Sequence, residues 1–204
     1  MPIDFSEELG AWASQLSASK EMLRTIEKRF FELPQGGTAV GSGLNAHKNF
    51  SKYFAQELSK LCNSKKRFSS SKNFYHELSA QDCSVQLSGE LKNLAIVLMK
   101  ISNDLRWMNS GPLAGMSEIE LKALQPGSSI MPGKVNPVIP EAVAMASADV
   151  IGNDVSITVA AQSGSFQLNV MLPVIAYNLL KSINLIAGSM KALSKNAIKT
   201  FKVN

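Results

Sequence analysis

The sequence predicts an all-α fold built as a bundle of long helices. Three observations predict it. Apolar residues recur in steps of three and four over three long segments. A fourth long segment is apolar nearly all round. No run alternates apolar and polar residues as a half-buried strand does.

The first segment carries Phe5, Leu9, Trp12, Leu16, Leu23, Ile26, Phe30 and Leu33, with Ser19 interrupting the seam. An irregular stretch follows from Pro34 to Asn45, where glycines crowd the chain. A shorter helix is expected from His47 to Leu61, capped by Asn45. The second long seam is Leu87, Leu91, Leu94, Leu98, Ile101, Leu105 and Met108. Ser110 to Pro137 reads as irregular. Val138 to Ala161 is the all-round apolar segment, so a helix buried on every side is expected. Pro137 and Pro140 suit its first turn, and Gly152 suits close approach of a neighbouring helix. The last seam is Leu172, Ile175, Leu179, Ile183, Ile186, Met190 and Leu193. Such spacing packs helices about 20° from parallel. Helices of thirty or more residues would span roughly 45 Å. A compact globule of 204 residues does not hold that length, so the seams are expected to close against other copies, as a tetrameric core.

Composition narrows the classes. With 45% hydrophobic and 18% charged residues, the chain can bury a core and is not a disordered tail. Its net charge is +5. The clusters Lys65-Lys66-Arg67 and Lys195 to Lys202 read as a solvated face and a terminal stretch. No nucleic-acid motif accompanies them, so no nucleic-acid partner is expected. Cys62 and Cys83 are the two cysteines, with no C-x-x-C and no Cys/His cluster; no metal is expected. Free thiols suit a reducing cytoplasm. Met1-Pro2-Ile3-Asp4 has no signal-peptide pattern. The longest uninterrupted apolar run, Leu94 to Met99, is far shorter than a membrane span, so no membrane partner is expected.

Chemistry concentrates in Gly127-Ser128-Ser129-Ile130-Met131-Pro132-Gly133-Lys134-Val135-Asn136-Pro137. The prolines and glycines make this a loop, and the glycines suit a mobile lid. Ser128 and Ser129 offer hydroxyls. A serine alkoxide needs stabilising, which turn N–H groups and the Lys134 ammonium can supply. Lys134 gives an anionic substrate a point charge, and Asn136 gives it a neutral donor and acceptor. Glu141 follows at the start of the next helix, where a carboxylate also complements the helix dipole. Gly36-Gly37-Thr38-Ala39-Val40-Gly41-Ser42-Gly43 invites a phosphate-loop reading. No lysine follows its last glycine and no strand precedes it, so that reading fails. The two histidines, His47 and His76, are assigned no role.

The Gly127 to Pro137 run closely resembles the signature of the fumarase/aspartase superfamily. Gly37 to His47, Asn103-Asp104-Leu105-Arg106-Trp107, Ser110-Gly111-Pro112, Ile151-Gly152-Asn153-Asp154 and Gln167 to Ile175 extend the resemblance over essentially the whole chain. Leu113 departs from it, standing where many members carry arginine; without charge it takes no substrate role. The Asn103 to Trp107 run is read as a helix end in which Asp104 and Arg106 form a polar pair. Class II fumarate hydratase is the nearest type, with Val174 to Asn178 adding to it. Aspartate ammonia-lyase is the alternative, and a non-catalytic oligomerisation scaffold a third reading.

The resemblance implies a fold and a reaction. The fold is the all-α, long-helix central domain, residues 1–204, of an enzyme whose N-terminal and C-terminal domains lie outside this sequence. The substrate is a small dicarboxylate, fumarate or malate, interconverted by hydration within the tricarboxylic acid cycle. Ser128 is then the proton-abstracting base, and Lys134, Asn136 and Ser129 bind substrate. Glu141 pairs with a histidine from a Gly-Arg-Thr-His stretch that this sequence lacks. No cofactor is implied. The assembly implied is a homotetramer with sites shared among three subunits, so the chain alone is expected to be inactive.

Overall fold

A computed structural model describes residues 1–63, 67–127, 129–131 and 133–204. Among the described residues six α-helices run in order: α1 (Phe5–Glu27), α2 (Phe50–Leu61), α3 (Phe74–Ser79), α4 (Asp82–Met108), α5 (Val138–Ala161) and α6 (Leu172–Leu193). Four strands of two residues each supplement them: β1 (Glu32–Leu33), β2 (Ser69–Ser70), β3 (Ile119–Glu120) and β4 (Lys202–Val203). The all-α expectation therefore holds. Charges at Lys65 and Lys66 lie outside the described residues.

The chain divides into two compact units. The first holds Met1–Ser19, Leu91–Asn153 and Leu180–Asn204; the second holds Lys20–Glu90 and Asp154–Leu179. In the first, Leu91, Leu94, Leu98, Ile101 and Leu105 of α4 are all buried, as their spacing predicts. Trp12 and Ser19 of α1, Val143 and Val150 of α5, and Ile186 and Leu193 of α6 are buried in the same unit, as are Ile119 and Leu121. Ser19 does not break the α1 seam. It is buried, and its Oγ accepts from Asn93 Nδ2 at 3.4 Å. Asn153 Nδ2 donates to Ser182 Oγ at 3.1 Å, and Lys181 pairs with Asp149 at 2.8 Å. β3 and β4 pair antiparallel, Ile119 opposite Val203 and Glu120 opposite Lys202.

A charged network also sits in the first unit. Lys100 Nζ contacts Glu8 Oε1 and Asp104 Oδ2, each at 2.5 Å, and Trp12 Nε1 donates to Glu8 at 2.8 Å and to Asp104 at 3.2 Å. The Lys100 hydrogen bond holds the Glu8 carboxyl below its usual range, with burial opposing. Burial works against the Lys100 ammonium, but its bonds to Asp104 and Glu8 together outweigh that and hold it more basic than usual. This corrects the expected Asp104–Arg106 pair. Residues two apart on a helix do not face each other. Arg106 Nη1 instead donates to Asn103 Oδ1, one turn back, at 3.1 Å.

In the second unit α1 gives way to a 3₁₀ turn, Lys28–Phe31. The periodicity runs on to Leu33, but the backbone tightens there. The turn brings Phe31 against Phe68, ring centroids 5.1 Å apart, and β1 pairs parallel with β2. The long helices are consequently 22 to 27 residues, about 33–40 Å, shorter than expected. The predicted Asn45 cap is also corrected. Asn45 takes a left-handed turn conformation, φ 66°, and α2 begins only at Phe50 after Asn49. His47 lies before the helix, where its Nδ1 accepts the Asn49 N–H at 3.2 Å.

Helix α5 is not buried on every side within this chain. Val143, Ser147, Val150, Asn153, Ile157 and Ala160 form a buried stripe, while Met145 is 69% and Val155 61% exposed. By length and composition α5 is apolar enough to cross a membrane; the buried Ser147, Asn153 and Asp154 fit a core helix instead. Among the described residues a Cβ on Gly152 would meet nothing within 4 Å, so the close approach expected at its Cα is not seen there. On α6 the buried stripe is Ile175, Leu179, Ser182, Ile186, Ser189 and Leu193. Ile183 and Met190, expected in the seam, face outward instead. The α5 end and α6 start share one amide. Asn169 Nδ2 donates to the carbonyls of Ala160 and Ala161 at 3.1 and 3.3 Å, and its Oδ1 accepts the Met171 N–H at 2.8 Å.

Sequence reading missed α3, a six-residue helix capped by Asn73, whose Oδ1 accepts the His76 N–H at 3.2 Å. His76 Nε2 lies 2.8 Å from Asp82 Oδ2, the first residue of α4, and Nδ1 lies 3.2 Å from Glu77. The Asp82 hydrogen bond raises the His76 pKa despite the opposing cost of burial. A raised histidine contributes stability that is fully present below its unfolded pKa, about 6.5. That contribution is lost as pH rises through the folded value. NMR titration of the His76 ring should give a midpoint above 6.5, falling toward it in Asp82→Asn. An unchanged midpoint in the variant would contradict the contact. The stability at stake is small, because the pair is partly exposed.

A cavity that gathers the signature lysine and glutamate

The predicted site residues divide in the structure. Asn136 and Pro137 lead directly into α5, whose first turn needs no N–H from Pro140. The Glu141 N–H reaches Pro137 O at 3.1 Å, which fixes Glu141 in that turn. Upstream, the Lys134 N–H closes a turn onto Met131 O at 3.2 Å. The Lys134 carbonyl oxygen packs directly against Gly127, so any side chain at 127 would collide with it. Gly127 is therefore required by this contact rather than by chain flexibility.

Lys134 and Glu141 line one cavity of about 1040 Å³, which lies wholly within the first unit. The C-terminal turn of α4 contributes Asn103, Arg106 and Trp107, and β3 contributes Glu120. Asn109, Ser110, Ser117 and Asn204 add to the polar lining. Lys134 is exposed and Glu141 half-buried. Asn136, half-buried, lines a separate small hollow with Asn196, so this chain does not bring it beside Lys134. Ser129 is exposed in a turn. Ser128 lies outside the described residues. Leu113 is almost fully exposed and is not among the residues lining the cavity.

The wall opposite the loop is held by side chains that sequence reasoning missed. Asn109 Oδ1 accepts the Leu121 N–H at 2.7 Å, and the Ser117 N–H reaches Ser110 O at 2.6 Å. Asn204 donates through Nδ2 to Ser117 O at 2.8 Å and through its backbone N–H to Glu118 O at 3.1 Å. Asn103 and Arg106 stand one turn apart, a spacing that marks a shared helix face. That signal was available in the sequence. Nothing local announced Asn204, which reaches the cavity only because β4 pairs with β3. Among the described residues no group of three or more His, Cys, Asp or Glu side chains could hold a metal ion.

The arrangement can bind a small anion beside a carboxylate able to take or give a proton. Comparison with known proteins gives that chemistry a family. A family model described as lyase matches residues 1–152. The chain is 55% identical, over 204 residues, to fumarate hydratase class II 2 of Pseudomonas aeruginosa, covering 100% of this chain and 44% of that protein. It is 53% identical over 203 residues to fumarate hydratase class II of Xylella fastidiosa, covering 42% of it. The recombinant class II fumarase of Schistosoma mansoni superimposes with a TM-score of 0.96 at 34% identity, over 100% of this chain and 45% of that one. The chain thus spans less than half the length of these relatives. Matched by the family model over most of its residues, and aligned throughout with class II fumarate hydratases, the chain belongs to the lyase family.

Proposed function

We propose that residues 1–204 are the central helical domain of a class II fumarate hydratase, with N-terminal and C-terminal domains outside this sequence. The observation that supports this is the shared cavity: Lys134 and Glu141, seven residues apart, both line it in a chain aligned throughout with such hydratases. The reaction is the reversible addition of water to fumarate, giving (S)-malate. In the dehydration direction Ser128 takes the proton from the carbon beside one carboxylate. The electron pair moves into that carboxylate as an aci-carboxylate. It then returns to form the C=C bond while hydroxide leaves, protonated to water. Lys134, with Ser129 and Asn136, holds carboxylate oxygens and stabilises the charge that develops on them. Glu141 organises the acid side through a histidine supplied from elsewhere. Neither cofactor nor metal enters. The setting proposed is soluble and cytoplasmic, with no nucleic-acid or membrane partner.

The outward apolar residues of α5 and α6, among them Met145, Val155, Tyr177 and Leu180, support a homotetramer that buries them and completes each site across subunits. Asn136 and Ser129 then meet substrate only in the assembly. The test is a chimera: this chain replaces its counterpart in the Pseudomonas aeruginosa relative. The chimera should consume fumarate, followed as loss of ultraviolet absorbance, while the 204-residue chain alone should not. A chimera that assembles as a tetramer but turns over aspartate to ammonia instead would establish the ammonia-lyase alternative. An assembled chimera with neither activity would leave the scaffold reading.

A further inference from the structure

We infer that Arg106 is the second carboxylate-binding group of the cavity and sets its preference for dianions over monoanions. The inference rests on the proposed dicarboxylate site and names a contact the signature loop does not contain. A dicarboxylate brings two negative charges. Among the described residues lining the cavity, two are cationic, Lys134 and Arg106, and two are carboxylates, Glu120 and Glu141. These four side-chain charges sum to zero with Arg106 present. Without it the lining is net negative and repels a dianion.

Geometry makes Arg106 suited to this. It sits in the last turn of α4, where a cation is also favoured by the helix dipole. The bond to Asn103 Oδ1 at 3.1 Å steadies the arm and engages one of the guanidinium's five N–H donors. A planar guanidinium matches a carboxylate with two parallel hydrogen bonds, which an ammonium cannot do. Lys134 and Arg106 come from different segments, so the substrate is held at two ends rather than by one loop.

The experiment titrates the assembled tetrameric chimera with succinate, a non-reacting dicarboxylate, and with propionate, its monoanionic counterpart, by NMR. Wild type should bind succinate saturably and more tightly than propionate. Arg106→Gln should weaken succinate about tenfold or more and leave propionate nearly unchanged. Arg106→Lys, keeping charge but losing the fork, should fall between. The Arg106 Nε–H resonance should shift with succinate and not with propionate. Succinate binding unchanged in Arg106→Gln overturns the inference, as does an equal loss for both anions. Lys134→Gln separates the two levels. If it weakens succinate binding while Arg106→Gln does not, the site reading stands and the Arg106 inference falls. If neither variant changes binding, or wild type shows no saturable succinate binding, both fall.

Discussion

Lys134→Met, made in the chimera described above, should lower kcat/KM for fumarate by roughly 10²–10³-fold, the usual cost of removing one preorganised stabiliser of developing charge. Methionine keeps the length of the apolar stem and removes only the ammonium. Lys134 is exposed, so the variant should fold and assemble normally. Its backbone is set by Gly127 packed on its carbonyl and by the turn onto Met131. The charge is therefore delivered by a fixed segment rather than by a side chain searching solvent, and the loss should fall mainly on kcat. The assay is loss of fumarate absorbance over a range of substrate concentrations. A variant retaining activity within a few-fold of its parent would remove Lys134 from the mechanism and with it the observation on which the functional proposal stands.

Leu105→Ala should be the most damaging of the simple core substitutions. Leu105 is 0% exposed, on the α4 seam that carries the first unit's core. Truncating such a leucine removes its transfer energy and leaves a cavity, together about 2–5 kcal/mol. For a chain of this size each kcal/mol moves the melting midpoint by about 2–4 °C, so a fall on the order of 10 °C is expected. Ser102, one turn earlier and equally buried, is the contrast. Its hydroxyl has no hydrogen-bond partner among the described residues. Ser102→Ala removes an uncompensated polar group and should be neutral or stabilising. Thermal unfolding followed by far-ultraviolet circular dichroism compares the two. A Leu105→Ala protein as stable as wild type would mean that the seam does not carry the core.

Much of this architecture was legible because heptad spacing is local. Leu91, Leu94, Leu98, Ile101 and Leu105 announced a buried face, and α5 and α6 have the ends their sequence predicted. What escaped depended on residues far apart. The α1 helix stops early because Phe31 meets Phe68 and β1 meets β2, neither of which periodicity can foresee. Ser19 looked like a flaw until Asn93 supplied its partner. The candidate site shows the same division. Lys134 and Glu141 were readable from one motif, yet the opposite wall comes from α4, β3 and Asn204. Arg106 escapes a sequence reading because its near neighbour in sequence, Asp104, faces Lys100 and Trp12 instead.

Asn169 carries a consequence for how the molecule opens. One buried amide accepts the N–H of Met171, just before α6, and donates to the last carbonyls of α5. Neither helix end can fray without stranding a polar atom of the buried Asn169 side chain. The two ends therefore open and close as one event, and their amide protons should exchange with solvent at a common rate. A single side chain converts two terminal weak points into one cooperative unit.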